Sequence, residues 1–253
     1  MTVTTSSGEA EFASRSRTPV LELVGVSAGY GRVPVLRDIN LVVDEHSIVA
    51  VLGSNGAGKS TLLQVAAGLL RCSEGVVCLD GTDVTKVPAF VRSRRGACLI
   101  PGGQGVFRTL TVRENLLLAM GDNAPARLDI QPAVDAFPIL GQRLGQLAGT
   151  LSGGEQQMLA LARAFLTEPR VIFADELSLG LAPLVVEQMF ESMQVLAGRG
   201  TALVIVEQYA NQALAMADTA YVLAQGAVAW TGPAKDLDHE SLMATYMGIE
   251  PNS

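Results

Sequence analysis

Apolar residues fall into short runs along this chain, and the spacing of the runs changes from strand-like to mixed strand and helix. Val20 to Val26 and Ile39 to Val43 are β-type runs set off by Gly29, Gly31 and Pro34, and they predict a small antiparallel layer. Ile48-Val49-Ala50-Val51-Leu52 is continuously apolar, the pattern of a strand buried on both faces. It stops at a glycine-rich turn, after which Ser60 to Leu70 reads as a helix.

A further strand at Val76 to Leu79 ends in the turn Asp80-Gly81, and the run Ala97 to Ile100 leads into Pro101-Gly102-Gly103. The stretch Thr111 to Leu147 is helical in pieces, broken by Pro125, Pro132 and Pro138, and predicts a helical insertion over about 102–150. Beyond it, helix and strand alternate. Helices are expected at Gly153 to Thr167, Pro183 to Leu196 and Asn211 to Ala217, and strands at Val171 to Ala174, Ala202 to Val206 and Ala220 to Leu223. Such alternation implies a mainly parallel sheet covered by helices on both faces, an α/β fold with three layers.

Composition narrows the function. With 253 residues, 49% of them apolar, the chain can bury a core without staples, and residues 20–249 are expected to form one domain. Residues 1–19, rich in Ser and Thr and without an apolar stretch, read as a flexible leader, and 250–253 as a tail. The 18 basic and 25 acidic side chains give a net charge of −7, which disfavours a protein built to grip nucleic acid. No uninterrupted apolar run reaches the roughly 18 residues of a membrane span. Cys72, Cys78 and Cys98 lack the paired spacing of a zinc site and read as buried reduced thiols.

The chemistry begins at Gly53-Ser54-Asn55-Gly56-Ala57-Gly58-Lys59-Ser60, which satisfies G-x-x-x-x-G-K-[ST] between an expected strand and an expected helix. Glycines let successive backbone N–H groups curl inward, and the helix start adds its positive end, so phosphates fit there. Lys59 is the candidate bridge between β- and γ-phosphates, Ser60 the candidate ligand of Mg²⁺, and Thr61 reaches toward the α-phosphate. The motif is that of a P-loop NTPase core, and a nucleoside triphosphate with Mg²⁺ is the expected ligand.

Val171-Ile172-Phe173-Ala174-Asp175-Glu176 supplies the other half: a buried strand tolerates two carboxylates only where it ends at a site. Asp175 is the candidate second support of Mg²⁺, and Glu176 the candidate base for the attacking water. Farther back, Ser152 is a plausible N-cap followed by Gly153 and Gly154, whose amides make a second anion-binding helix end.

Leu151-Ser152-Gly153-Gly154-Glu155-Gln156-Gln157 resembles the signature of the ATP-binding cassette family, and the resemblance runs from Val20 to Ile249. It implies a head-to-tail dimer in which Ser152, Gly153 and Gly154 of one copy close over the partner's ATP, and a stacking role on adenine for Tyr30. The wording Ser178 to Pro183 and Val206-Glu207-Gln208 followed by Ala210-Asn211-Gln212-Ala213-Leu214 is similar to the second ATPase subunit of branched-chain amino acid importers. In that group a glutamine, here Gln208, stands where most relatives carry a switch histidine. A glutamine can orient water but cannot change charge near neutral pH. Gly102 replaces the glutamine or glutamate usual after the proline, and Leu177 replaces a proline after the catalytic glutamate.

The resemblance implies a peripheral ATPase on the cytoplasmic face of the membrane, without a span of its own. Its implied partners are permease subunits received at Gln104 to Asn115, a second cassette subunit as homodimer or heterodimer, and indirectly a solute-binding protein. A soluble cassette ATPase outside transport and a nucleotide sensor with little turnover are the alternatives. His46 and His239 fall outside every motif and read as surface or packing residues.

Overall fold

The computed structural model describes residues 19–103, 105–120, 129–207 and 210–237. In chain order the first elements are strands β1 (Pro19–Tyr30), β2 (Val33–Asp44) and β3 (Ile48–Gly53), helix α1 (Lys59–Ala67), and strands β4 (Cys72–Leu79) and β5 (Thr82–Asp83). Helix α2 (Ala89–Arg94), strand β6 (Ala97–Ile100) and helices α3 (Val112–Met120), α4 (Gln131–Ala136), α5 (Pro138–Gly141), α6 (Gly153–Ala162) and α7 (Ala164–Thr167) follow. The chain continues through β7 (Val171–Asp175), α8 (Pro183–Gly198), β8 (Ala202–Val206), α9 (Ala210–Met216), β9 (Thr219–Ala224) and β10 (Ala227–Pro233).

These make two sheets. One is antiparallel with the order β2-β1-β4-β5; the other has the order β10-β9-β3-β8-β7-β6 and is parallel except for β10. The central strands are apolar on both faces because each face meets a different core. Val49, Val51, Phe173, Val204 and Val206 pack with Leu62, Leu63 and Val65 of α1 and with the antiparallel sheet. Ala50, Leu52, Ile172, Ala174, Leu203 and Ile205 pack with the helices, among them Leu116 of α3, Leu161 of α6 and Met189 of α8. The period of two along each strand therefore sorts side chains between two cores.

Several boundaries differ from the sequence expectation. Gly29 and Pro34 lie inside β1 and β2, not between them. At Gly29 a Cβ would stand 2.1 Å from the carbonyl oxygen of Val33, so this glycine marks a close approach of strands. Pro34 is tolerated because β2 is an edge strand. Helix α1 ends at Ala67, short of Leu70, because Gly68 adopts the left-handed conformation with φ 79° and caps it. The helix expected over Gly153 to Thr167 is interrupted at Arg163. Strand β10 and helix α2 were not expected; Gln225 and Gly226, with φ of 49° and 82°, form the tight turn that pairs β9 with β10. Pro19, assigned to the leader, already belongs to β1, and the rest of the leader and the 250–253 tail lie outside the described residues. The three cysteines are unpaired, as expected, but only partly buried. His46 is exposed, and His239 lies outside the described residues.

One buried cation holds the helix behind the glycine turn. Arg92 of α2, 2% exposed, donates from Nη1 to the carbonyls of Val65 and Ala66, each at 2.9 Å, satisfying the last turn of α1. Its Nε donates to Val87 O at 3.0 Å and its Nη2 to Thr85 O at 3.2 Å. A positive charge at a helix C-terminus is favourable, and Gly68 leaves room for it: a Cβ there would lie 2.7 Å from Arg92 Nε. Arg92→Met should lower unfolding free energy by about 2–4 kcal/mol in urea titration, because several buried carbonyls lose their donors. A loss within experimental error of zero would show that the carbonyls find other donors.

Candidate functional site

The glycine turn hangs between β3 and α1. Gly53, Gly56 and Gly58 have φ of 156°, 82° and 105°, conformations that bulkier residues avoid. A Cβ on Gly53 would lie 2.5 Å from the carbonyl oxygen of Leu223. Gly58 is the N-cap of α1 and offers no side-chain hydrogen bond, so the first N–H groups of the helix are left for an anion. Ser54, Asn55, Gly56 and Ser60 are exposed along the turn, while Ala57, Gly58 and Thr61 are buried. Lys59, 6% exposed, donates from Nζ to Gly53 O at 2.8 Å and Ser54 O at 3.1 Å, which places its ammonium over the turn.

Strand β7 delivers its carboxylates to the same place. Ser60 Oγ donates to Asp175 Oδ1 at 3.0 Å, joining the start of α1 to the end of β7. Burial pushes the Asp175 carboxyl above the usual aspartate range, and neighbouring Glu176 adds to this, while the Ser60 hydrogen bond and Lys59 oppose it. Glu176 has φ 48°, left-handed for a residue with a full side chain, a state that costs about 1–3 kcal/mol unless its surroundings impose it. Its N–H donates to Val206 O at 2.8 Å. Gly102, which stands in place of a larger residue, lies against this turn: a Cβ would meet the carbonyl oxygen of Asp175 at 2.8 Å. A cavity of about 350 Å³ opens here, walled by Gly102, Gly153, Gln157, Asp175, Glu176 and Leu181 among others.

The second helix end is built as expected. Ser152 caps α6; its hydroxyl accepts from Glu155 N–H at 3.3 Å, and the Glu155 carboxylate accepts from Ser152 N–H at 2.9 Å. Gly154 packs on α8, where a Cβ would lie 2.9 Å from Val185 Cγ1. Gly153 shares the cavity with Glu176, but the residues of the glycine turn are not among its walls. Tyr30, at the end of β1 and half exposed, donates from its hydroxyl to Gln64 Oε1 at 2.8 Å, which fixes the ring beside α1. Gln208 and Gln104 lie outside the described residues.

Two polar clusters escaped sequence reading. Glu207 and Ser178, 4% and 2% exposed, hydrogen-bond to one another behind Glu176. Asn115, fully buried, accepts from Phe107 N–H at 2.8 Å and donates to Phe107 O and Thr111 O, each at 2.9 Å. Arg163 donates to Gly105 O at 2.9 Å and stacks 5.5 Å from the Phe107 ring. The segment leading into α3 is therefore braced from inside. A polar residue ending an apolar strand signalled Glu207, whereas nothing local marked Asn115 as buried.

A family model described as ABC transporter matches residues 36–178, more than half of the chain. The chain belongs to the ABC transporter family. Among its relatives, the high-affinity branched-chain amino acid transport ATP-binding protein BraG of Pseudomonas aeruginosa is 40% identical, covering 88% of this chain and 97% of BraG. The probable branched-chain amino acid transport ATP-binding protein LivF of Archaeoglobus fulgidus is 38% identical, covering 91% and 99%. A solved ATP-binding subunit of an ABC transporter shares the architecture, with a TM-score of 0.77, 28% identity and coverage of 92% of this chain and 95% of that one. This ABC protein is thus an ATP-binding subunit of a transporter, and its activity is ATP hydrolysis. No helix among its described residues is long and apolar enough to cross a membrane.

The raised Asp175 carboxyl has a pH signature. Folded Asp175 holds its proton to higher pH than unfolded Asp175, so its contribution is fully present below the unfolded carboxylate range and is lost as pH rises through the raised folded value. Asp175→Asn keeps an acceptor for Ser60 and removes this dependence. Without nucleotide or Mg²⁺, the variant should gain on wild type in unfolding free energy as pH rises from about 4 to about 7; a pH-independent difference would contradict the assignment. Gly102→Ala should cost about 1–3 kcal/mol in the same urea assay, since its Cβ must displace the Asp175 backbone or the Pro101 loop.

Proposed function

We propose that this chain powers an importer of branched-chain or chemically related amino acids, as a peripheral subunit on the cytoplasmic face of the membrane. Two copies, or one copy and a distinct cassette subunit, would close over two nucleotides, with a solute-binding protein delivering cargo to separate permease subunits. The names and full-length similarity of BraG and LivF support the cargo class. The hydrogen bond between Ser60 and Asp175 carries the catalytic reading, because it joins the phosphate turn to the acidic strand end.

The roles follow from chemistry. Turn amides and the Lys59 ammonium hold the β- and γ-phosphates, and Thr61 supports the α-phosphate. Ser60 Oγ and Asp175 Oδ1, 3.0 Å apart, are hard oxygen donors of the kind that would hold Mg²⁺. Bound there, Mg²⁺ supplies charge neutralisation of the phosphates. Glu176, at the cavity wall, takes the proton of the attacking water, and Gln208 orients that water through its amide. Ser152 to Gly154 of the second copy close the site, while Tyr30 stacks on the adenine. Preorganised charge supplies most of the rate.

Permease docking is supported by a groove of about 730 Å³ beside the braced segment, walled by Phe90, Arg94, Cys98, Gly105, Met120 and Arg163 among others. Phe90 and Phe107 expose much of their rings at 65% and 48%.

Glu176→Gln should reduce phosphate release by more than about 100-fold while ATP binding persists. Undiminished turnover would remove Glu176 as the base. In proteoliposomes with its permease, wild-type protein should drive ATP-dependent uptake of labelled leucine, and photocrosslinkers at Phe90 or Phe107 should capture the permease. ATP binding without turnover, alone or with permease, would favour a nucleotide sensor; turnover without permease capture would favour a cassette ATPase outside transport.

A further inference from the structure

Glu176 sits in a left-handed backbone state, and the neighbouring strand β8 holds it there. The last residue of β8, Val206, accepts the Glu176 N–H at 2.8 Å. The next residue, Glu207, accepts both donors of Ser178: the backbone N–H at 3.1 Å on Oε1, and the hydroxyl on Oε2. Leu177 between them is fully buried, and Leu179 N–H closes the turn onto Glu176 O at 3.3 Å. Positions 176 and 178 are therefore each tied to consecutive residues at the end of β8. We propose that Glu207 is a positioning residue for hydrolysis, whose carboxylate clamps Ser178 and so aims Glu176 at the attacking water.

A carboxylate answers both Ser178 donors at once. Ser178 presents two donors, and Glu207 answers with two acceptor oxygens, one for each. A glutamine has a single acceptor oxygen; with that oxygen on the Ser178 N–H, its NH₂ would donate to the hydroxyl and reverse the second bond. An acid at the end of the fully buried run Ala202 to Val206 is not required for packing, and at 4% exposure it persists because its oxygens are engaged. The phosphate turn lies on β3 and α1 and makes none of these bonds, so loss of the clamp should alter the chemical step and leave nucleotide binding intact.

This inference rests on Glu176 as the base, and the test separates the two. ATP turnover, KM for ATP and stoichiometric ATP binding are measured for wild type, Glu176→Gln, Glu207→Gln, Ser178→Ala, Ser178→Thr and the double variant Ser178→Ala with Glu207→Gln. The clamp predicts that Ser178→Ala lowers kcat per nucleotide-binding molecule about 10-fold or more while KM changes less than about 2-fold, and that Glu207→Gln, which keeps one acceptor, falls between it and wild type. Ser178→Thr, which keeps both donors, should restore most of the rate, and the double variant should be no slower than the slower single one. Unchanged kcat in Ser178→Ala, or a loss that disappears when rates are divided by the binding-competent fraction, would overturn the proposal. If Glu207→Gln does not fold, the two Ser178 variants still decide it. Full turnover in Glu176→Gln would instead overturn the reading of the base.

Discussion

The bond from Ser60 to Asp175 joins two segments far apart in sequence, and most of the molecule serves to make it possible. Strands β3 and β7 are buried along their length, so neither can carry a polar side chain until it ends. Both are parallel to β8 and end at the same edge of the sheet. A parallel sheet covered on both faces thus collects the polar ends of its strands along one edge, where glycine turn, acids and Glu207 meet.

That edge is held in place from both cores. On one side α1 packs through Leu62, Leu63 and Val65; on the other, α6 and α8 pack through Leu161 and Met189. The acids are exposed enough to reach phosphate, yet buried enough that Asp175 keeps its proton longer than an ordinary aspartate. A cation held there would offset that penalty, and by linkage its binding would stabilise the folded edge.

Much of this was legible in the residues. Continuous apolar runs such as Ile48 to Leu52 announce strands buried on both faces, and a lysine framed by glycines between strand and helix has few readings. What stayed hidden depended on long-range contact. Gly29 and Pro34 look like breaks, but an edge strand accepts a proline and a close strand crossing demands a glycine. Asn115 carries no local sign of burial, which only its partners at Phe107 and Thr111 reveal. Gly102 reads as a missing ligand; in the structure it is the residue that lets the Pro101 loop touch the backbone of Asp175.

Arg92 gives the phosphate turn a mechanical connection. Its guanidinium grips the trailing end of α1, while Phe90 and Arg94, two residues to either side of it on α2, wall the large groove. With the cation buried and bonded to carbonyls on both sides, the end of α1 is fastened to the chain that leads into α2. The glycine turn at one end of α1 and the groove beside α2 thus share a single buried guanidinium as their common anchor.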